Sequence, residues 1–239
     1  MNIYYITGTS RGLGLAFAEE ILKDENNLVI GIGRQCEIEH ANYSHKRLDL
    51  ADTVEVAKFR FGQHQKADKV VLINNAGTLG EIKYVGGLDN KELVNALHIN
   101  LVSPCVLMNN FLTAYRNEQN LEKVILNISS GAAVNPYDGW SAYCTSKAGL
   151  NMFSEVISSE KEIAKIRGLK IFSIAPGVIE TAMQDQIRTA DKKDFNQVDR
   201  FVELKNEGGL QSPTETAVRL LAMIENSRSN EVYQDLRNA

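Results

Sequence analysis

Tyr143 and Lys147 stand four residues apart in Tyr143-Cys144-Thr145-Ser146-Lys147, so a helix there puts both on one face. An isolated phenol titrates near ~10 and is a poor proton donor or base at neutral pH. A neighbouring ammonium stabilises the phenolate and brings the group toward the working range, as acid–base chemistry on an oxygen requires. Ser130, 13 residues before Tyr143 and just after the apolar run Val124–Ile128, offers a hydroxyl to the same substrate oxygen. Asn100, after Leu97 and Ile99, reads as closing a helical segment, with its side chain bonded locally or joined to this polar group. Taken alone, a Tyr-x-x-x-Lys pair also fits an ordinary helix face.

A second constellation opens the chain. Thr7-Gly8-Thr9-Ser10-Arg11-Gly12-Leu13-Gly14 follows a short apolar run and leads into a helical pattern. Glycines in such a turn let backbone amides and a helix N-terminus approach a pyrophosphate. The spacing is G-x-x-x-G-x-G rather than G-x-G-x-x-G. An acid about 20 positions further on would bind a ribose 2′-hydroxyl. Arg34 stands there instead, and Arg11 lies within the turn. Two guanidinium groups suit a 2′-phosphate, which favours NADP(H) over NAD(H), unless both are ordinary surface arginines. Glu37 and Glu39 follow beyond the strand and are expected to face solvent.

These groups need a scaffold. The apolar runs Ile3–Ile6, Leu28–Ile32, Val70–Ile73, Val124–Ile128 and Leu169–Ile174 are short and continuous, as in strands covered on both faces. Helical patterns lie between them at Leu13–Lys23 and at about 53–66, 90–116, 141–166 and 213–226. The alternation predicts one α/β domain over residues 1–239, a Rossmann-type, doubly wound parallel sheet with helices on both faces. Ligands then sit beyond the carboxyl ends of the strands. Residues 178–211 are polar, carry Gly208-Gly209, and read as a substrate lid over that edge.

A chain of 239 residues with 44% apolar and 23% charged residues can bury a core without staples, and it is not disordered. The net charge of −4 argues against nucleic acid or an anionic membrane as partner. Three scattered cysteines without a CxxC pair make a disulfide framework and structural zinc poor readings, and no metal is expected. The opening MNIYYITG lacks a basic, apolar leader, and no long apolar run follows, so a cytoplasmic location is expected.

Thr7–Gly14, Asn74-Asn75-Ala76-Gly77, Asn100, Ser130, Tyr143/Lys147 and Pro176-Gly177 with Thr181 together resemble the short-chain dehydrogenase/reductases, in order and over nearly the whole chain. The resemblance implies that Gly8, Ser10, Arg11, Gly12, Leu13 and Gly14 hold the cofactor phosphates and that Arg34 meets the 2′-phosphate. Asp49 and Leu50 would flank the adenine, while Asn75, Ala76 and Gly77 line the adenosine ribose side. Pro176, Gly177, Val178 and Thr181 would orient the nicotinamide. Tyr143 would donate the proton, Lys147 would lower its pKa and bind the nicotinamide ribose, Ser130 would position the carbonyl, and Asn100 would hold a water near Lys147.

Within the family, INNAGTLG at 73–80, NISS at 127–130, Gly139-Trp140 and Met183-Gln184 are similar to the sepiapterin reductases and to the bacterial benzil reductases. The sepiapterin branch anchors its pterin with an aspartate near the C-terminus, but an ungapped alignment puts Tyr233 there and leaves Asp235 two positions on. The resemblance thus implies NADPH-dependent reduction of one carbonyl of an α-diketone, benzil to (S)-benzoin in type. Sepiapterin-type and 3-oxoacyl reduction are the alternatives, and a non-catalytic NADP(H) sensor would carry a broken Ser/Tyr/Lys set.

The expected pocket takes Ser130, Trp140, Tyr143 and Met183, with Tyr137 and Val134 adding to an aromatic, polarizable wall. Trp140 and Tyr137 fit equally under the lid as packing. A homodimer or homotetramer is expected through the helices at 90–116 and 141–166, where Cys105, Met108 and Phe111 are either contact residues or core.

Overall fold

The computed structural model describes residues 1–226 and 231–238, so five residues of the expected domain lie outside it. Its elements run β1 (Asn2–Thr7), α1 (Gly12–Ile21), β2 (Asn27–Gly33), β3 (Tyr43–Arg47), α2 (Thr53–Lys58), β4 (Lys69–Asn74) and α3 (Asn90–Leu97). After a π-helical turn (His98–Val102) come α4 (Ser103–Tyr115), β5 (Glu122–Ile128), α5 (Ser141–Ile163) and β6 (Leu169–Ala175). The chain closes with α6 (Ala182–Arg188), α7 (Val198–Asn206), α8 (Pro213–Asn226) and β7 (Tyr233–Asp235).

All seven strands pair in parallel in the order β3-β2-β1-β4-β5-β6-β7, the Rossmann-type arrangement. The order reverses between β1 and β4, which opens a crevice at their carboxyl ends. Burial on both faces explains the unbroken apolar runs. Along β4, Val71 and Ile73 meet Phe17 of α1 and Leu220 of α8, while Val70 and Leu72 join Leu107, Phe111 and Leu150 on the opposite face. Among the described residues no helix is long and apolar enough to cross a membrane.

Two strands lie outside the expected runs. β3 is the edge sequence YSHKR, largely polar and half exposed, and β7 has only three residues. Neither carries an apolar run. The helix expected over 53–66 stops at Lys58, because Phe59 turns extended and Phe61 drops into an aromatic cluster with Tyr5 (4.8 Å) and Phe111 (5.4 Å). The Asn110 amide then donates to the Phe59 carbonyl at 3.0 Å, satisfying the broken end.

Residues 178–211 differ from the expectation of a merely polar excursion. Helices α6 and α7 and the segment between them bury Ile187, Phe195, Val198 and Phe201 against Leu79, Trp140 and Tyr143, making a third apolar cluster. The base of the excursion is pinned, for Glu180 donates to the Gln211 carbonyl at 3.0 Å and Gln211 to that of Val178 at 2.9 Å. Of the two readings left open for Met108 and Phe111, the structure takes core, since both are wholly buried within the subunit, while Cys105 is half-buried. The apolar groups that α3 and α5 expose are Val94, Met152, Val156 and Ile163.

Candidate active site

One cleft of about 1420 Å³ runs along the carboxyl edge of the sheet. The glycine turn forms one end of it. Gly8 sits at φ +75°, where side chains are strained, and Gly8, Ser10, Arg11, Gly12 and Leu13 all line the cleft. No side chain caps α1, so its first amides lie open for an anion. Gly14 does not line the cleft. A Cβ there would lie 2.0 Å from the Gly8 carbonyl oxygen, so this glycine lets the helix pack onto the turn.

Asn75 clamps the same turn from β4. Its side-chain amide donates to the Thr7 carbonyl at 2.9 Å, and the amides of Asn75 and Ala76 donate to the Thr7 hydroxyl at 2.9 and 3.0 Å. Arg34, Asp49, Leu50, Ala76 and Gly77 complete this end. Arg11 and Arg34 are exposed, and neither guanidinium group is bonded to another group of the described residues. Glu37 and Glu39 are exposed as well. An uncapped helix start, a left-handed glycine and two free guanidinium groups fit a phosphorylated dinucleotide.

Tyr143 and Lys147 lie on the buried face of α5 and reach the middle of the cleft, where Ser130 joins them from the end of β5. Polar rungs hold the helix there. Asn151, one turn beyond Lys147, accepts from Ser129 and Ser173, each at 2.6 Å, and Asn127 donates to Ser154 at 2.8 Å. Sequence reasoning passed over these residues; Asn151 and Ser154, continuing the Tyr143/Lys147 face at helical spacing, were the available signal.

Lys147 Nζ donates to the Ile128 carbonyl at 2.7 Å and lies 5.6 Å from the centroid of the Tyr143 ring. Burial lowers its pKa to about 8, leaving it mostly charged at neutral pH. Burial also raises the Tyr143 phenol, and the Ser130 hydroxyl pulls it partly back. Ser130 Oγ accepts from the Ala132 amide at 3.1 Å, which leaves its own proton free to be donated.

Asn100 does not close a helix. It lies in the π-helical turn between α3 and α4, a distortion that turns its side chain inward. Its Oδ1 accepts from the Thr78 amide at 2.8 Å, and its Nδ2 donates to the Thr78 carbonyl at 2.7 Å and to Ser146 Oγ at 3.2 Å. A Cβ on Gly77 would meet Asn100 Oδ1 at 3.3 Å and Lys147 Nζ at 3.8 Å, so the two converge on that glycine.

The far end of the cleft is aromatic. Trp140 stacks between Tyr137 at 4.9 Å and Phe195 at 5.0 Å, and meets Tyr143 edge-on at 6.0 Å. Pro176, Gly177, Val178, Thr181 and Met183 form the adjoining wall. Val134 is exposed at 58% and does not line the cleft, which removes it from the expected wall. Tyr233 and Asp235 do not line it either. Asp235 is held by Arg237 through its Nε (2.9 Å) and backbone amide (3.0 Å), and the Arg237 side chain reaches the cleft instead.

The short chain dehydrogenase family model matches residues 2–192. The benzil reductase ((S)-benzoin forming) of Bacillus cereus is 39% identical over 239 aligned positions, covering 94% of each chain. The sepiapterin reductase of Bos taurus is 34% identical, but over only 67% of this chain and 58% of its own. Among solved structures, the KRED1-Pglu enzyme superposes with a TM-score of 0.80 at 27% identity, over 98% of this chain and 100% of that one.

Proposed function

The chain belongs to the short-chain dehydrogenase family, whose members are oxidoreductases using NAD(P)(H), and from that premise we propose that it is an NADPH-dependent carbonyl reductase acting on α-diketones of the benzil type. One observation carries the reading: Ser130, Tyr143 and Lys147 meet in a cleft with two unpaired arginines at one end and a stacked aromatic wall at the other. The match to the Bacillus cereus benzil reductase over nearly its whole length supports the substrate class, whereas the sepiapterin resemblance stops short. Asp235, tied to Arg237 away from the cleft, offers no free carboxylate for a pterin.

Gly8, Ser10, Gly12 and Leu13 would hold the cofactor phosphates, Arg11 and Arg34 the 2′-phosphate, and Asp49 and Leu50 the adenine side. Pro176, Gly177, Val178 and Thr181 would border the nicotinamide, which when bound supplies the hydride. The protein's part is the other half of the reaction. Ser130 donates a hydrogen bond to the carbonyl oxygen and orients it. The Tyr143 hydroxyl gives its proton to that oxygen as negative charge develops. The phenolate left behind is stabilised by the Lys147 ammonium. Trp140 and the lid exclude water from a flat, apolar substrate.

The same reading takes residues 1–239 as one domain in the cytoplasm, a setting that suits three unpaired cysteines. It assembles into a homodimer or homotetramer through the face carrying Val94, Met152, Val156 and Ile163.

NADPH oxidation with benzil, sepiapterin and an acetoacetyl thioester tests the proposal. Benzil is expected to turn over, and Tyr143→Phe is expected to lower kcat roughly 10³-fold with NADPH binding retained. Turnover of sepiapterin alone would move the activity to the pterin branch, and NADPH binding without turnover of any carbonyl would leave a sensor.

A further inference from the structure

Tyr43, on the polar edge strand β3, places its hydroxyl at the meeting point of three segments. Thr9 Oγ1 lies 2.8 Å away in the glycine turn, Cys36 Sγ 3.0 Å away in the loop after β2, and His45 Nδ1 3.2 Å away on β3 itself. The donors can be assigned from chemistry. His45 Nε2 faces the Gly33 carbonyl at 3.0 Å, which only accepts, so that nitrogen carries the proton and Nδ1 accepts from Tyr43. The two remaining acceptor sites of the Tyr43 oxygen take the Thr9 hydroxyl and the Cys36 thiol. A hydroxyl has one donor and two acceptor positions, and here all three are filled.

The backbone makes room for this hub. Gly31 of β2 lies beneath it, and a Cβ there would stand 1.9 Å from the Tyr43 oxygen. Cys36 Sγ also accepts from the Ile38 amide at 3.2 Å, folding the loop around itself. Each anchored residue neighbours one of the two cleft arginines. Gly33 and Cys36 bracket Arg34, and Thr9 lies two residues before Arg11. The two arginines are exposed and their guanidinium groups are bonded to nothing among the described residues, so their placement depends on the backbone that carries them.

We infer that Tyr43 is a positioning residue for cofactor specificity: its hydroxyl couples the glycine turn to the Arg34 loop and sets the two guanidinium groups at a fixed separation. The inference rests on the NADP(H) reading and deepens it. Arg11 and Arg34 supply the charge, and the Tyr43–Thr9–Cys36–His45 network supplies the spacing that makes the charge selective for a 2′-phosphate over a 2′-hydroxyl. Thr9 and Tyr43 do not line the cleft, so their effect passes through the arginines.

The test is the ratio of the NADH and NADPH dissociation constants, measured by calorimetry on the full chain. Tyr43→Phe is expected to reduce that ratio roughly tenfold by weakening NADPH while NADH binding holds. Cys36→Ala, a gentler change at a half-buried site, is expected to reduce it roughly threefold, and Cys36→Ser, which keeps a donor, to restore it. A wild-type protein indifferent between the two dinucleotides would sink the cofactor reading itself, and this inference with it. Preference for NADPH in the wild type with an unchanged ratio in folded Tyr43→Phe, or equal loss of both dinucleotides, would overturn the inference alone. Should Tyr43→Phe not fold, equal ratios in Cys36→Ala and Cys36→Ser would overturn it.

Discussion

The two ends of the cleft are built by different means. At the glycine end the binding surface is backbone: amides at the start of α1, a turn locked by Asn75, and glycines whose missing side chains set the clearances. At the lid end it is side chain: Tyr137, Trp140 and Phe201 line the cleft with Phe195 stacked behind Trp140, drawn from segments some 60 residues apart. A backbone surface is fixed by the fold and tolerates little change. A side-chain surface is fixed only by its own packing and can be reshaped one residue at a time. The Ser130–Tyr143–Lys147 group lies between them, on a helix α5 that is held by polar rungs to β5 and β6.

If the ends are separable in this way, changes at one should leave the other untouched. Of changes made at the two ends, the larger expected effect is at the arginine rim. Arg34→Ala should lower the preference for NADPH over NADH roughly thirtyfold, the worth of a charge-assisted contact, with the Michaelis constant for the carbonyl substrate unmoved. A parallel rise in that constant would show that the ends are coupled. Phe195→Ala removes the ring stacked on Trp140 and should raise the Michaelis constant for benzil about tenfold while the affinity for NADPH stays constant. Loss of NADPH affinity in that variant would break the comparison from the other side.

The remaining prediction concerns the middle of the cleft, where the graded signal is a pH profile. Lys147 must carry its proton to support the phenolate, so kcat/KM should be full below pH 8 and fall as pH rises through about 8, where the buried ammonium titrates. The same burial costs stability. Its folded pKa lies below the ordinary 10.5, so the penalty is complete below about pH 8 and fades as pH rises toward 10.5. Lys147→Met should therefore be inactive yet more stable at pH 7 by about 2 kcal/mol, a gain that shrinks in alkaline buffer. Urea unfolding of both forms at pH 7 and 10 checks the sign, and a destabilised variant at pH 7 would contradict it.

The difference between the ends also explains what could be read from the sequence. The glycine turn, Arg34 and the Tyr143/Lys147 pair are local patterns, with spacing set by one turn or one helix, and so they stand out along the chain. The five apolar strands are legible for the same reason. Edge strand β3 was not, because its residues Tyr43, Ser44, His45, Lys46 and Arg47 carry no apolar run; its side chains make a polar network whose partners come from Thr9 and Cys36. The π-helical turn at Asn100 was hidden by an unbroken helical periodicity, since one extra residue in a turn leaves the pattern nearly intact. The lid core was hidden by dilution, as Ile187, Phe195, Val198 and Phe201 lie among many charged residues.

The pinned base of the lid has a consequence for how this fold diversifies. Because Val178, Glu180 and Gln211 bond across its foot, the excursion leaves and rejoins the sheet at nearly one point. A loop already closed at its ends bears little added entropy when lengthened, about 0.6 kcal/mol for each doubling. The segment between those bonds is thus a cassette, in which insertions, deletions or whole grafts can be accommodated while the strands beneath keep their register. Under the proposed function, a changed segment here would alter the aromatic end of the cleft while leaving the glycine turn and the strand register as they are.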